Sequence, residues 1–236
     1  MPERFALISP PATLRAFFAY RDEPEFPPRY NIAPTQPIAI VAATPHSQGR
    51  ARRFILMRWG FLPGFVKDPK DFPLLIKARA ETLSERPSFR AAVKRRRCLV
   101  MADGYYEWLR DSAGAPSRTF LIRRPDRGPM GLAGLYETWC DPYGGEIDTA
   151  CIVTTKANRP IAAIHDRMPA IIAQADHAAW LDNDGVGAAP ATTLLRPAPD
   201  DLLELVAISN RVNRVGETDP EVQRPLGDIK GPGSKR

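Results

Sequence analysis

The chain has 236 residues, of which 44% are hydrophobic and 25% charged, and a formal net charge of +6. This leaves enough apolar material for a sizeable core, in one large domain or two small ones. It excludes a helical membrane span, because no apolar run approaches the roughly 20 residues required. Pro10, Pro11 and Arg15 break up any secretory leader early, so a soluble, cytoplasmic protein is expected. The positive charge favours an anionic partner such as nucleic acid, though only mildly.

In chain order, a helical pattern over Ala12–Tyr20 follows Pro10-Pro11. Strand-like runs come next at Ile38–Ala43, Phe54–Trp59 and Lys77–Thr82. Ser88 is a candidate cap for a second helix over Ser88–Arg97. Strand patterns return at Cys98–Ala102, Thr119–Arg123, Met130–Trp139 and Thr149–Thr155, with hairpin loops expected at 111–116 and 141–146. A further strand over Pro169–Ala173, a helix over Ala175–Leu181 and a strand over Leu205–Ser209 complete the pattern. Strands outnumber helices and do not alternate with them, which predicts a mainly antiparallel, β-rich α+β fold. No boundary divides the chain, so a single domain over residues 1–228 is expected. Residues 229–236, rich in Gly, Pro and Lys, read as a frayed tail.

Cys98, Cys140 and Cys151 are odd in number and have no C-x-x-C spacing, and His46, His165 and His177 are dispersed. Neither a metal site nor a cofactor is expected, and Cys98 and Cys151 read as inert core thiols.

Three segments stand apart from scaffold. In Asp103-Gly104-Tyr105-Tyr106-Glu107-Trp108 a carboxylate sits among aromatics, an environment that raises the pKa of a general acid or base. Taken alone, Glu107 reads more readily as a solvent-facing strand residue. In Ile164-His165-Asp166-Arg167-Met168-Pro169 a histidine precedes a charged turn closed by proline. A lone histidine there is more often structural. At the start of the chain, the small Pro2 predicts removal of Met1 and a free secondary amine. Asn31 in Arg29–Pro34 reads as the pin of a turn. The loop from Trp59 to Phe65 is either a base-stacking surface or core. The run Lys94–Arg97 reads as a helix terminus complementing its dipole.

Together these motifs form an order. The chain resembles the SOS-response-associated peptidase family, whose members act on abasic sites in single-stranded DNA. The likeness runs through Arg4-Phe5, Arg29–Pro34, Arg58-Trp59-Gly60, Ala78–Thr82, Arg97-Cys98-Leu99, Ala102–Trp108, Ile164–Pro169 and Ser209–Asn213. The resemblance implies a barrel-like antiparallel core with peripheral helices, a basic groove for single-stranded DNA, and a monomer with no membrane partner. It also implies a terminal cysteine whose amine and thiol capture the sugar aldehyde as a thiazolidine, assisted by a glutamate, a histidine and an asparagine. Glu107 and His165 match the glutamate and the histidine. Arg4, Arg79 and Arg167 match phosphate-binding positions, and Asn31, Trp59, Phe65 and Thr154 fall where the groove and its aromatic wedge are expected.

Two departures lie at the centre of that site. Pro2 stands at the cysteine position, followed by Glu3 in place of glycine, and Lys77 stands at the asparagine position. Without a terminal thiol no thiazolidine forms. Three readings stand: imine chemistry through Pro2, with Lys77 as a second amine or as a cation acting on Pro2; a non-catalytic protein that shields single-stranded or abasic DNA; and a peptidase using Glu107 and His165.

Overall fold

The computed structural model describes residues 3–227, so Pro2 and the expected tail at 229–236 lie outside the described residues. The elements run β1 (Phe5–Leu7), α1 (Pro11–Phe18), β2 (Arg29–Ile32), β3 (Pro37–Ala43), β4 (Arg52–Trp59), β5 (Lys77–Arg79), α2 (Ala92–Arg95), β6 (Arg97–Ala102) and β7 (Gly104–Arg110). They continue with β8 (Pro116–Arg123), β9 (Met130–Cys140), β10 (Glu146–Lys156), α3 (Arg159–Ala162), β11 (Arg167–Pro169), β12 (Ile171–Ile172), α4 (His177–Leu181), α5 (Ala188–Thr192) and β13 (Glu204–Ile208).

Two hairpins are set by the same local chemistry. Asp111 Oδ1 accepts from the N–H groups of Ala113 and Ala115, and Asp141 Oδ1 accepts from those of Tyr143 and Gly145. Gly114 and Gly144 take φ of +81° and +93°, which a side chain would disfavour. These turns fold β7 onto β8 and β9 onto β10.

The strands form two sheets. In the larger, β10, β4, β3, β6 and β9 pair in that order, and β9 pairs back onto β10, closing a five-stranded barrel. Every contact around the ring is antiparallel except β10–β4. The smaller sheet is fully antiparallel in the order β13-β8-β7-β1-β2. Phe5 of β1 meets Trp59 of β4 edge to face at 5.1 Å, joining the two sheets. All six residues of β6 are buried, as a strand covered on both faces requires. Burial also pushes the Cys98 and Cys151 thiols up, away from the reactive thiolate.

Three local expectations change. The run expected as a strand to Thr82 stops at Arg79, where parallel pairing with β10 ends, and Ala80–Thr82 form a 3-10 turn. The expected helix from Ser88 is a single turn over Ala92–Arg95, without a cap from Ser88, because Arg97 is drawn into β6. The run at 169–173 splits at Ala170, whose N–H donates to Val153 O (2.9 Å) while its carbonyl accepts from Ala133 N–H (2.8 Å). The chain there steps from β10 across to β9.

His177 is fully buried, stacked on Phe18 with ring centroids 5.6 Å apart. Burial, with the nearby Arg52 charge, lowers its pKa to about 4. A folded-state pKa below the unfolded value near 6.5 means the unfolded chain takes up the proton first. Stability is therefore whole above about pH 6.5 and falls toward pH 4, by about 3 kcal/mol from this group. Urea midpoints for wild type and His177→Leu at pH 7.5 and pH 4 test this. The variant should lose less stability on acidification, and equal losses would refute the assignment.

Candidate active site

β1 brings the start of the chain to β7. Phe5 pairs with Tyr105, and Tyr106 N–H donates to Arg4 O at 3.0 Å. Asp103 anchors the far end of β1 by accepting from the N–H groups of Ile8 and Ser9 (2.5 and 2.7 Å). Gly104 is required by close packing, since a Cβ there would lie 2.9 Å from Leu121 Cδ1 and 3.1 Å from Ile122 O. Tyr106 donates to Tyr30 O, and Trp108 Nε1 donates to Asn213 Oδ1 at 2.7 Å. Most of this motif is thus scaffold. Glu107, 2% exposed, shares a strand face with Tyr105, and its charge helps hold the buried Tyr105 hydroxyl protonated, an effect led by burial itself.

The other half of the site comes from the barrel. β5 runs beside β10 with Ala78 opposite Val153 and Arg79 opposite Thr154. β11 lies on the other edge of β10 with Lys156 opposite Arg167. Lys77 Nζ donates to Glu3 Oε1 at 3.1 Å, tying the first described residue to β5. His165, just before β11, is partly exposed. Burial lowers its pKa; the Lys77 charge adds to that, and the carboxylates of Glu107 and Asp166 oppose it. Lys77 and Glu107 therefore both lie within electrostatic reach of His165, although the three come from separate strand regions.

His165 Nδ1 accepts from the backbone N–H of Arg167 at 3.0 Å. The carboxylate of Asp166 also lies 2.7 Å from Nδ1, a contact that is favourable only when the ring is protonated there. The backbone bond governs the neutral form, because strand pairing holds that N–H whereas the Asp166 side chain is 84% exposed and can turn away. With Nδ1 accepting, the neutral ring carries its proton on Nε2.

The residues expected to hold DNA divide in two. Arg79 and Phe65 are exposed, Phe65 at 60% with its ring edge-on to Phe72. Among the described residues the Arg79 side chain has no hydrogen bond or ion pair, while its backbone pairs with Thr154 of β10. The others serve the fold. Trp59 is 0% exposed and its indole N–H donates to Ile76 O, so it supports the loop from beneath instead of stacking on a base. Thr154 is buried, with its hydroxyl on Ala78 O. Asn31 is buried and donates to the carbonyls of Val212, Arg214 and Glu217, while its Oδ1 accepts from Arg4. Arg4 also donates to the carbonyls of Val212 and Asn213. Arg167 is 8% exposed and engaged by Glu81 and by Thr154 O. A guanidinium already satisfied inside the protein is not a ready phosphate ligand.

Sequence reasoning placed Glu81 in a matching motif but gave it no role. It also gave Tyr105 no role of its own, and it did not foresee that Asn31 and Arg4 hold the 212–217 segment. Glu81 lay in plain view between Arg79 and Thr82; its partner, 86 residues away, did not.

The sequence model of the family described as SOS response associated peptidase (SRAP) matches residues 1–215. The abasic site processing protein YoqW of Bacillus subtilis (strain 168) is 37% identical over 202 residues, covering 85% of this chain and 87% of that protein. The abasic site processing protein HMCES of Gallus gallus is 30% identical over 254 residues, covering 91% and 75% respectively. A protein of Bacteroides thetaiotaomicron with a solved crystal structure superposes with a TM-score of 0.81 over 94% of this chain and 99% of that one. At 24% identity that likeness speaks for the fold alone.

Proposed function

Because this chain belongs to the SOS response associated peptidase family of abasic site processing proteins, we propose that it acts on abasic sites in single-stranded DNA through an imine between the Pro2 amine and the ring-opened sugar aldehyde. The observation that carries this reading is the convergence of Glu107, His165 and Lys77, with Glu3, the residue bonded to Pro2, held against Lys77. An α-amino group has a pKa near 8, so an appreciable fraction is neutral and nucleophilic at physiological pH. Pro2 supplies nitrogen and no sulfur, which removes the thiazolidine product.

His165, carrying its proton on Nε2, donates to the sugar ring oxygen as the C1 hydroxyl loses its proton, and the ring opens to the aldehyde. The amine lone pair then adds to the carbonyl carbon. The N–H proton and one proton from solvent leave with the carbonyl oxygen as water, giving an iminium cation. Glu107 carries the proton from nitrogen to oxygen. The iminium either takes water back or promotes loss of the 3′ phosphate by β-elimination. Arg79 and Phe65 are the exposed groups suited to a phosphate and a base.

Borohydride trapping on a single strand carrying one abasic site tests this reading. Mature wild type should give a reduced covalent adduct and no adduct without reductant. A form whose terminal amine is blocked by acetylation should give none. Trapping that survives the block and disappears in Lys77→Ala would move the nucleophile to Lys77. DNA binding with no trapping in any form would leave a protein that only shields the strand. A heat-stable adduct formed without reductant would contradict the chemistry.

A further inference from the structure

We infer that Glu81 and Arg167 form a positioning pair that holds the His165 imidazole in its Nε2–H tautomer and aims that proton into the site. Arg167 joins three parts of the fold. Its Nη1 and Nη2 donate to Glu81 Oε1 and Oε2 at 2.6 and 2.8 Å, a two-pronged fit of guanidinium to carboxylate. Nη2 also donates to Thr154 O at 2.6 Å. Its backbone N–H donates to His165 Nδ1 at 3.0 Å. The side chain that binds Glu81 and the N–H that orients the histidine therefore belong to one residue, fixed at both ends.

Strand pairing of Lys156 with Arg167 sets the backbone on one side. The Glu81 carboxylate, presented by the 3-10 turn Ala80–Thr82, sets the side chain on the other. β11 is only three residues long, so pairing alone restrains Arg167 weakly, and the side-chain anchor matters correspondingly more. The Arg167 Nε is buried with no hydrogen-bond partner among the described residues. That unmet donor is tolerated in a fork directed wholly at Glu81 and Thr154. Arg167 stands at a phosphate-binding position of the sequence motif, yet its guanidinium is engaged inside the protein.

The consequence for rate rests on the imine reading above; the tautomer does not. Nitrogen-15 NMR of the His165 ring in the free protein reads the tautomer without DNA. Wild type should show the Nε2–H form at neutral pH, and an Nδ1–H form would overturn the inference whatever the variants do. Glu81→Gln, which keeps shape and removes charge, should shift the ring toward a mixture of tautomers. It should slow borohydride trapping about tenfold, the scale of a modest misplacement of a reacting group, with single-strand affinity unchanged. Arg167→Lys keeps the cation but loses the fork, and should move the tautomer in the same direction. If Glu81→Gln leaves tautomer and rate unchanged, the pair is structural only. If it tightens DNA binding and steepens the salt slope by about 0.7, Arg167 is a phosphate ligand that Glu81 masks, and the positioning role is wrong. Failure of the imine reading would appear as absent trapping in wild type, with the NMR result still standing.

Discussion

Glu107→Gln is expected to lower the rate of borohydride-trappable imine formation by about 10²- to 10⁴-fold, the usual contribution of a positioned general acid or base. Glutamine matches glutamate in shape, so the buried space beside Tyr105 remains filled and the fold should persist. An amide cannot shuttle a proton between the amine nitrogen and the departing oxygen. It does not repel phosphate, so single-strand affinity should not fall. Single-turnover trapping at saturating protein separates the two effects, because binding is then complete in both forms. A variant that traps at the wild-type rate would remove Glu107 from the chemistry and leave Lys77 and His165 as the candidates.

The second large effect is on stability. Arg97 is 0% exposed and sits over the Trp180 ring at 5.7 Å. Its guanidinium donates to the carbonyls of Trp180, Val93, Lys94, Asp182 and Val186. Two of those close the end of α2, one lies in α4, and two hold the segment after it. Burial lowers its pKa to about 10, still well above neutral, so the group stays charged in place. Arg97→Met keeps much of the volume and strands those carbonyls away from a donor. A loss of about 3–5 kcal/mol is expected, since hydrogen bonds to a charged group are worth more than neutral ones and buried acceptors left unpaired are costly. Lys94→Met and Arg95→Met, in the same basic run but exposed, should change stability by no more than about 0.5 kcal/mol. Urea midpoints at constant slope would establish the difference. Equal effects at the three positions would mean that the run acts through its net charge alone.

The sequence by itself determined what depends on neighbouring residues. Short apolar runs bounded by turn residues exposed most of the strands, because both signals are local. The Asp-x-x-Gly loops marked both long hairpins, because an aspartate capping its own turn and a glycine at positive φ need no distant partner. The identities of Glu107 and His165 were legible as members of ordered motifs, and Pro2 and Lys77 as departures within them. β1 and β2, at three and four residues, are too short to be read as strands from the sequence, and β5, at three, was read on to Thr82.

Only the tertiary structure decided which of these residues are exposed and which serve the core. Closure of the barrel rests on β9 and β10 pairing with each other and on one parallel contact between β10 and β4, a pairing between segments some ninety residues apart. A tryptophan beside glycine reads as a loop aromatic, yet Trp59 is core because Phe5 of β1 and Ile76, just before β5, reach it from elsewhere in the chain. Arginine reads as surface, yet Arg97 and Arg167 are interior because carbonyls and a carboxylate from remote segments converge on them. Burying a charge is favourable only where such partners are already assembled. Their assembly belongs to the packed chain, and no local stretch of sequence contains it.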